Sequence, residues 1–212
     1  MKFFPAFGIL VFALTFCGIG DRLKQASSGT ANSAANSSGN SAKSSTSETT
    51  TEKPELTSAQ QAITDASTEV TWSEQGIAWK VPSGWKKMDQ KKLNFYYTSP
   101  DNASLLVNVS EMPDEFPMDI SLKAYYDQAL QQLKNGHYEK VRMLEIDGIE
   151  GVEFVEAPPE DNDGPRRHQW IAYRTYLGQK QQLNVMTATK GTNFDKHRDD
   201  FAAILYSMKA VK

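Results

Sequence analysis

The chain has 212 residues, 39% of them hydrophobic and 23% charged, with a formal net charge of -3. That length fits one domain plus extra chain or two small domains, and the charge balance sets aside a general nucleic-acid binder, which is usually basic. One cysteine and three histidines exclude an internal disulfide framework, a multi-thiolate metal site and a His-rich metal cage, and no cofactor is expected.

Met1 and Lys2 precede an uncharged run of 18 residues, Phe3 to Gly20, whose apolar stretch centres on Phe7–Phe16. The run sits at the lower edge of a membrane span and contains Pro5, Gly8, Gly18 and Gly20. Cys17 lies at its polar end, where signal peptidase acts. Leu14-Thr15-Phe16-Cys17 resembles a bacterial lipobox, departing from it at Phe16, where a small residue is usual. The resemblance implies that Cys17 becomes the first mature residue and carries acyl chains. The chain is then exported and anchored by lipid to a bacterial membrane, in the periplasm or at the cell surface. An uncleaved single-span anchor and ordinary secretion with cleavage beyond Gly20 are the other readings of the same residues.

From Ala26 to Thr51 all but Lys43 and Glu48 are Ala, Ser, Gly, Thr or Asn, 24 of 26 residues. Such a segment has no apolar surface to offset the entropy of ordering, so it reads as a disordered tether spanning roughly 25–30 Å. Next, Leu56, Ala59, Ala62, Ile63 and Ala66 recur at three- and four-residue steps, as a short helix or a weakly helical linker end would. The chain thus divides into a signal peptide (1–17), a tether (18–55), that short segment (56–67) and one domain (68–212).

Within the domain, Val70–Ser73, Gly76–Val81, Leu93–Thr98 and Ser104–Ser110 read as strands, with a turn at Ser99-Pro100-Asp101-Asn102. Leu105, Val107 and Val109 alternate with Leu106, Asn108 and Ser110, the pattern of a half-buried strand. Asp119–Asn135 is an amphipathic helix with Leu122, Tyr125, Tyr126, Ala129, Leu130 and Leu133 in one stripe, Asp119 or Ser121 as its cap and Gly136 after its end. Lys140–Ile146 and Ile149–Val155 flank Asp147-Gly148, a strong hairpin signal because both loop residues take positive φ. Arg167–Leu177 and Gln181–Thr189 form a second hairpin around Gly178-Gln179. In its first strand Trp170, Ala172, Arg174 and Tyr176 share one face, and Gln169, Ile171, Tyr173 and Thr175 the other. Asn193–Lys209 closes the chain as a helix capped by Thr192 or Asn193, with Phe194, His197, Phe201, Ile204, Leu205 and Met208 on one side. Hairpin-connected strands and two amphipathic helices define an α+β fold, an antiparallel sheet with helices packed on it.

The run Gly76-Ile77-Ala78-Trp79-Lys80-Val81-Pro82-Ser83-Gly84-Trp85 resembles the opening strand of the PsbP-like proteins, a superfamily with the Mog and DcrB groups. The Asp147-Gly148 hairpin with Gly151 and the closing Phe201–Lys209 helix with Ser207 are similar to the same pattern, which covers nearly all of residues 68–212. The resemblance implies an α/β/α sandwich around an antiparallel sheet. It implies no shared activity, since fold does not give function.

No G-x-S-x-G, P-loop, G-x-G-x-x-G or H-E-x-x-H motif is present. His137, His168 and His197 are far apart, and each reads as a surface or core-edge residue. His197 is expected to be dispensable to folding if it sits at the edge of its helical stripe. Glu160-Asp161-Asn162-Asp163-Gly164 fails the EF-hand register and reads as a solvated hairpin tip. Lys86, Lys87, Lys91 and Lys92 read as a solvated basic loop, and Phe95, Tyr96, Tyr97, Tyr125, Tyr126, Trp170, Tyr173 and Tyr176 as core rather than as a pocket lining. The catalytic, cofactor and metal sites are therefore left empty, with lipid attachment at Cys17 the one site. The function expected is a lipid-anchored, non-enzymatic accessory or interaction module of the cell envelope. Its partners are the membrane and another envelope protein or a small ligand, with no nucleic acid. The alternatives are a carrier of a small apolar or amphipathic ligand, and a hydrolase whose site is assembled from residues distant in sequence.

Overall fold

The computed structural model describes residues 50–211; Cys17 and residues 18–49 of the tether lie outside the described residues. In chain order the elements are α1 (Ser58–Asp65), β1 (Thr68–Trp72), β2 (Ile77–Val81), β3 (Lys86–Gln90), β4 (Asn94–Thr98) and β5 (Ser104–Glu111). Then follow α2 (Met118–Lys134), β6 (Tyr138–Ile146), β7 (Ile149–Glu156), β8 (Pro165–Tyr176), β9 (Gln179–Lys190), α3 (Gly191–Tyr206) and β10 (Lys209–Ala210). A seven-stranded antiparallel sheet runs β3-β4-β5-β9-β8-β7-β6, and a three-stranded one runs β1-β2-β10. The α+β architecture expected from the alternating and helical periodicities is the one observed.

The small sheet and α3 cover the inner face of the large sheet. Trp72, Trp79, Phe95, Leu105, Val107, Trp170, Leu183, Val185, Ile204 and Leu205 form the main core there. On the outer face α2 packs Leu122 and Ala129 against Met143, Val152, Phe154 and Ile171, over strands β6, β7 and β8. The faces of β8 divide as its sequence alternation requires, with Trp170 and Ala172 in the first cluster and Ile171 and Tyr173 in the second. Gly151 lets the Trp170 indole lie against β7: a Cβ there would fall 2.4 Å from the ring. The indole N–H then reaches the Leu144 carbonyl at 3.1 Å.

Several boundaries differ from the sequence reading, each for a local reason. Lys86–Gln90, expected as a solvated loop, is an edge strand on β4 with a register shift between Lys87 and Asp89. Lysines and a bulge are common devices for keeping an edge from pairing with other chains. The second hairpin turns at Leu177-Gly178, both at positive φ, one residue earlier than expected. Helix α3 starts at Gly191 without a side-chain cap, because the carbonyls of Gly164 and Asn162 accept the Gly191 and Thr192 amides at 2.8 and 2.9 Å. It ends at Tyr206 because the chain then extends to add β10 to β2. Helix α2 likewise follows Pro117 with no side-chain cap, rather than starting at a capping Asp119 or Ser121.

Residues 51–53 fall in the tether by composition, yet they lie along β6. The Glu52 amide donates to the Met143 carbonyl at 3.1 Å and the Glu145 amide to the Glu52 carbonyl at 2.9 Å, a parallel bridge at Leu144. Composition misses this pairing because backbone bonds and single charge pairs, not apolar burial, hold the segment. Helix α1 carries a full capping box between Thr57 and Gln60 and packs on α3.

Candidate interaction face

Because α2 spans only β6 to β8, the outer side of β4, β5 and β9 is left uncovered by any described element. The register lines up Tyr96, Leu106, Met186 and Gln169 across four strands. Beside that row, Asn94, Asn108 and Asn184 form an asparagine ladder. Ser110 and Gln182 pair in the next position but one along β5 and β9. These side chains are half-buried, apart from the exposed Asn94 and Ser110, and none is charged. Several fix one another: Gln169 Nε2 donates to Asn184 Oδ1 at 2.6 Å, and Gln182 Nε2 to the Tyr173 hydroxyl at 2.8 Å. The result is a flat patch with an apolar centre (Tyr96, Leu106, Met186) and an amide and hydroxyl rim. Its alternation was legible in β5, but the alignment of three asparagines from three strands depends on register, which the sequence does not print.

The inner face holds a polar cluster that sequence reasoning missed. Glu153 is fully buried on β7. His168 Nε2 lies 2.7 Å from its Oε1, and the Tyr206 hydroxyl donates to the same oxygen. Arg142 Nε donates to Oε2, and Lys140 Nζ lies 3.1 Å from it. Burial alone would raise the Glu153 carboxyl, but His168, Lys140 and Tyr206 outweigh it and hold the group well below the usual carboxylate range. Burial and the neighbouring Glu153 charge raise the Tyr206 phenol, which stays protonated as a donor. Burial opposes the charge on Arg142, yet its bonds to Glu153 and Glu52 raise it above its ordinary value. Each carboxylate oxygen thus accepts from two donors, and the group has no lone pair to spare for a substrate proton.

This cluster borders a cleft of about 150 Å³ lined by Gln60, Lys140, His168, Phe194, Arg198 and Tyr206, among others. A coupled histidine and carboxylate beside a cleft is a feature of hydrolases. Here no Ser, Thr or Cys nucleophile hydrogen-bonds to the His168 ring among the described residues, and the carboxylate is saturated. The cluster ties α3 to β6, β7 and β8 of the sheet. Two further depressions, of about 380 and 460 Å³, are open to solvent rather than enclosed. All three fall short of the enclosed apolar cavity that a carrier of apolar ligands needs.

The other sequence-marked residues separate. His197 is not at an edge: it is 5% exposed, with Nδ1 2.9 Å from Asp200 and Nε2 3.0 Å from Asp101. It ties α3 to the β4–β5 turn, so the edge position on which its dispensability depended is not the one it takes. Lys196, Ser99 and His197 together hold the Asp101 carboxyl well below its usual range. His137 is exposed, and Asp161 and Asp163 bond the Asp163 amide and Lys190. Lys91 and Lys92 pair with Asp89 and Glu111. Among the described residues no three His, Cys, Asp or Glu side chains converge as metal ligands.

These features define an α+β sandwich domain with saturated inner charges and an uncovered sheet face whose middle carries no charge. No protein-family model and no curated protein matches the chain. Solved structures similar to it include LpqN of Mycobacterium tuberculosis, described as involved in cell envelope biogenesis, at 15% identity over 74% of this chain and 99% of that one, with a TM-score of 0.48. Cyanobacterial PsbP of Synechocystis is similar at 14% identity over 68% and 93%, TM-score 0.42. The Ran-binding protein Mog1p of Saccharomyces cerevisiae is similar at 11% identity over 69% and 96%, TM-score 0.42. The last two carry the names of groups that the Pro82-Ser83-Gly84-Trp85 opening resembles.

Proposed function

We propose that the protein is a non-catalytic accessory module of the cell envelope, held to a membrane through acylated Cys17, that binds a partner protein through the outer face of β4, β5 and β9. The observation that carries this reading is the uncovered patch itself. Its apolar centre and polar rim have the layout of protein interfaces, whose cores are depleted of charge. Neutral amides cost far less to desolvate than charges, so such a face can be covered and uncovered reversibly. The apolar run ending at the lipobox-like Cys17 and the small, polar segment after it support this location. Among the described residues no helix is long and apolar enough to cross a membrane.

A photo-crosslinking residue at Asn184 tests the face, with Glu69 on β1 as the control position. The expected result in cells is one discrete adduct from Asn184 and none from Glu69. Equal or absent adducts at both positions overturn the assignment. Mass spectrometry of membrane-extracted protein tests the anchor separately. Loss of residues 1–16 and an added lipid mass are expected, and an intact Met1 overturns it.

A further inference from the structure

The two edges of the seven-stranded sheet are managed differently. β3 has five residues, bears two lysines and is bulged in its middle, whereas β6 has nine residues, Tyr138–Ile146, and its register shift lies at its start, between Tyr138 and Lys140. Residues 51–53 lie on β6, but they bridge it at Leu144 alone. Three side-chain contacts accompany that bridge. Arg142 Nη1 donates to Glu52 at 2.7 Å, Lys53 Nζ lies 3.3 Å from Glu145, and the Thr51 hydroxyl donates to Glu150 at 3.1 Å. The strap side chains remain largely in solvent, Glu52 at 53% and Lys53 at 77% exposure.

We propose that β6 is a strand-docking edge that the chain's own residues 51–53 occupy, and that its partner is an extended acidic segment of another protein, adding parallel to β6. The seated strap defines the recognition chemistry. Backbone bonds go to the Met143 carbonyl and the Glu145 amide, an acidic residue faces Arg142, and a basic residue faces Glu145. Lys140, two residues before Arg142 on the same side of the strand, extends the cationic row toward Tyr138, so acids at alternate positions of an incoming strand meet both. A partner strand that pairs along most of β6 makes more backbone bonds to it than the two that the described residues of the strap make. That is what allows it to displace a tethered competitor. Main-chain bonds give such strand addition its affinity, and alternate side chains give it specificity. This surface is independent of the outer face of β4, β5 and β9.

The probe is a fluorescent peptide of the chain's own strap, Ser-Glu-Thr-Thr-Thr-Glu-Lys-Pro-Glu (residues 47–55). Its anisotropy is followed on the full chain and on the full chain carrying Glu52→Pro, which removes the amide and carboxylate that seat the strap. A tethered segment competes at an effective concentration on the order of millimolar, so the Glu52→Pro chain should bind the peptide at least ~10-fold more tightly than the parent. A peptide with Glu52→Lys should lose that binding. The full chain carrying Glu52→Lys, which keeps every backbone amide, guards against a folding defect from proline and should behave as Glu52→Pro does. No saturable binding to either variant overturns the proposal, as does binding indifferent to charge reversal in the peptide. Hydrogen exchange of the Glu145 amide at the rate of global unfolding also overturns it, because the strap would then not be displaceable.

Discussion

The two faces of the large sheet carry their polar groups in opposite ways. The inner face buries Glu153, His168, Arg166 and Arg174, and each has dedicated partners. Arg166 meets Glu139 and lies 4.2 Å over the Phe194 ring. Among the described residues no carboxylate pairs with Arg174; it donates to Gln75 and Gln181, and burial pulls its guanidinium down to about 10. The middle of the outer face of β4, β5 and β9 carries asparagines, glutamine and serine, half in water and without charge, with Lys180 and Lys190 only at the two ends of β9. Where water is excluded, a charge is tolerated only with partners in place, and such a cluster becomes rigid. If a partner comes and goes on that face, as we propose, its neutral groups keep the desolvation cost low.

Breaking the cover of the inner face should have the largest effect. Phe201 is fully buried on α3 beside Phe194. Phe201→Ala should cost about 3–5 kcal/mol, or roughly 6–20 °C in Tm by differential scanning calorimetry. A melt within about a degree of the parent would mean that α3 is not docked.

Glu153→Gln attacks the inner charges and should cost on the order of 3–5 kcal/mol at neutral pH, since it leaves Arg142, Lys140 and His168 without their carboxylate. The folded-state carboxyl is depressed, so its contribution is fully present above the unfolded value of about 4.3 and declines as pH falls from there toward the folded value. The gap in Tm between parent and variant should therefore stay constant from pH 7 to about pH 5 and narrow from there to pH 3. A gap independent of pH would mean that shape, not charge, is what Glu153 contributes.

The smallest change in stability, and the sharpest contrast, belongs to the outer face. Met186→Arg should alter stability by less than about 0.5 kcal/mol, as for an open surface position, while abolishing the Asn184 crosslink. A destabilisation comparable to Phe201→Ala would show that this face is covered after all.

Much of this was legible in the chain itself. Alternation in β5 and β8, the Asp147-Gly148 turn and the stripe Phe194–Phe201–Leu205 fix which side of each element is apolar, because periodicity is a local property. Composition separates the small, polar tether from the domain for the same reason. Only the tertiary structure decided the rest. It placed Glu153 opposite His168, Arg142 and Tyr206 from three other elements, and it seated His197 between two carboxylates. It laid Glu52 along β6, and it aligned Asn94, Asn108 and Asn184 into one ladder. Each of these depends on register and on contacts between residues up to about a hundred positions apart, which no local pattern encodes.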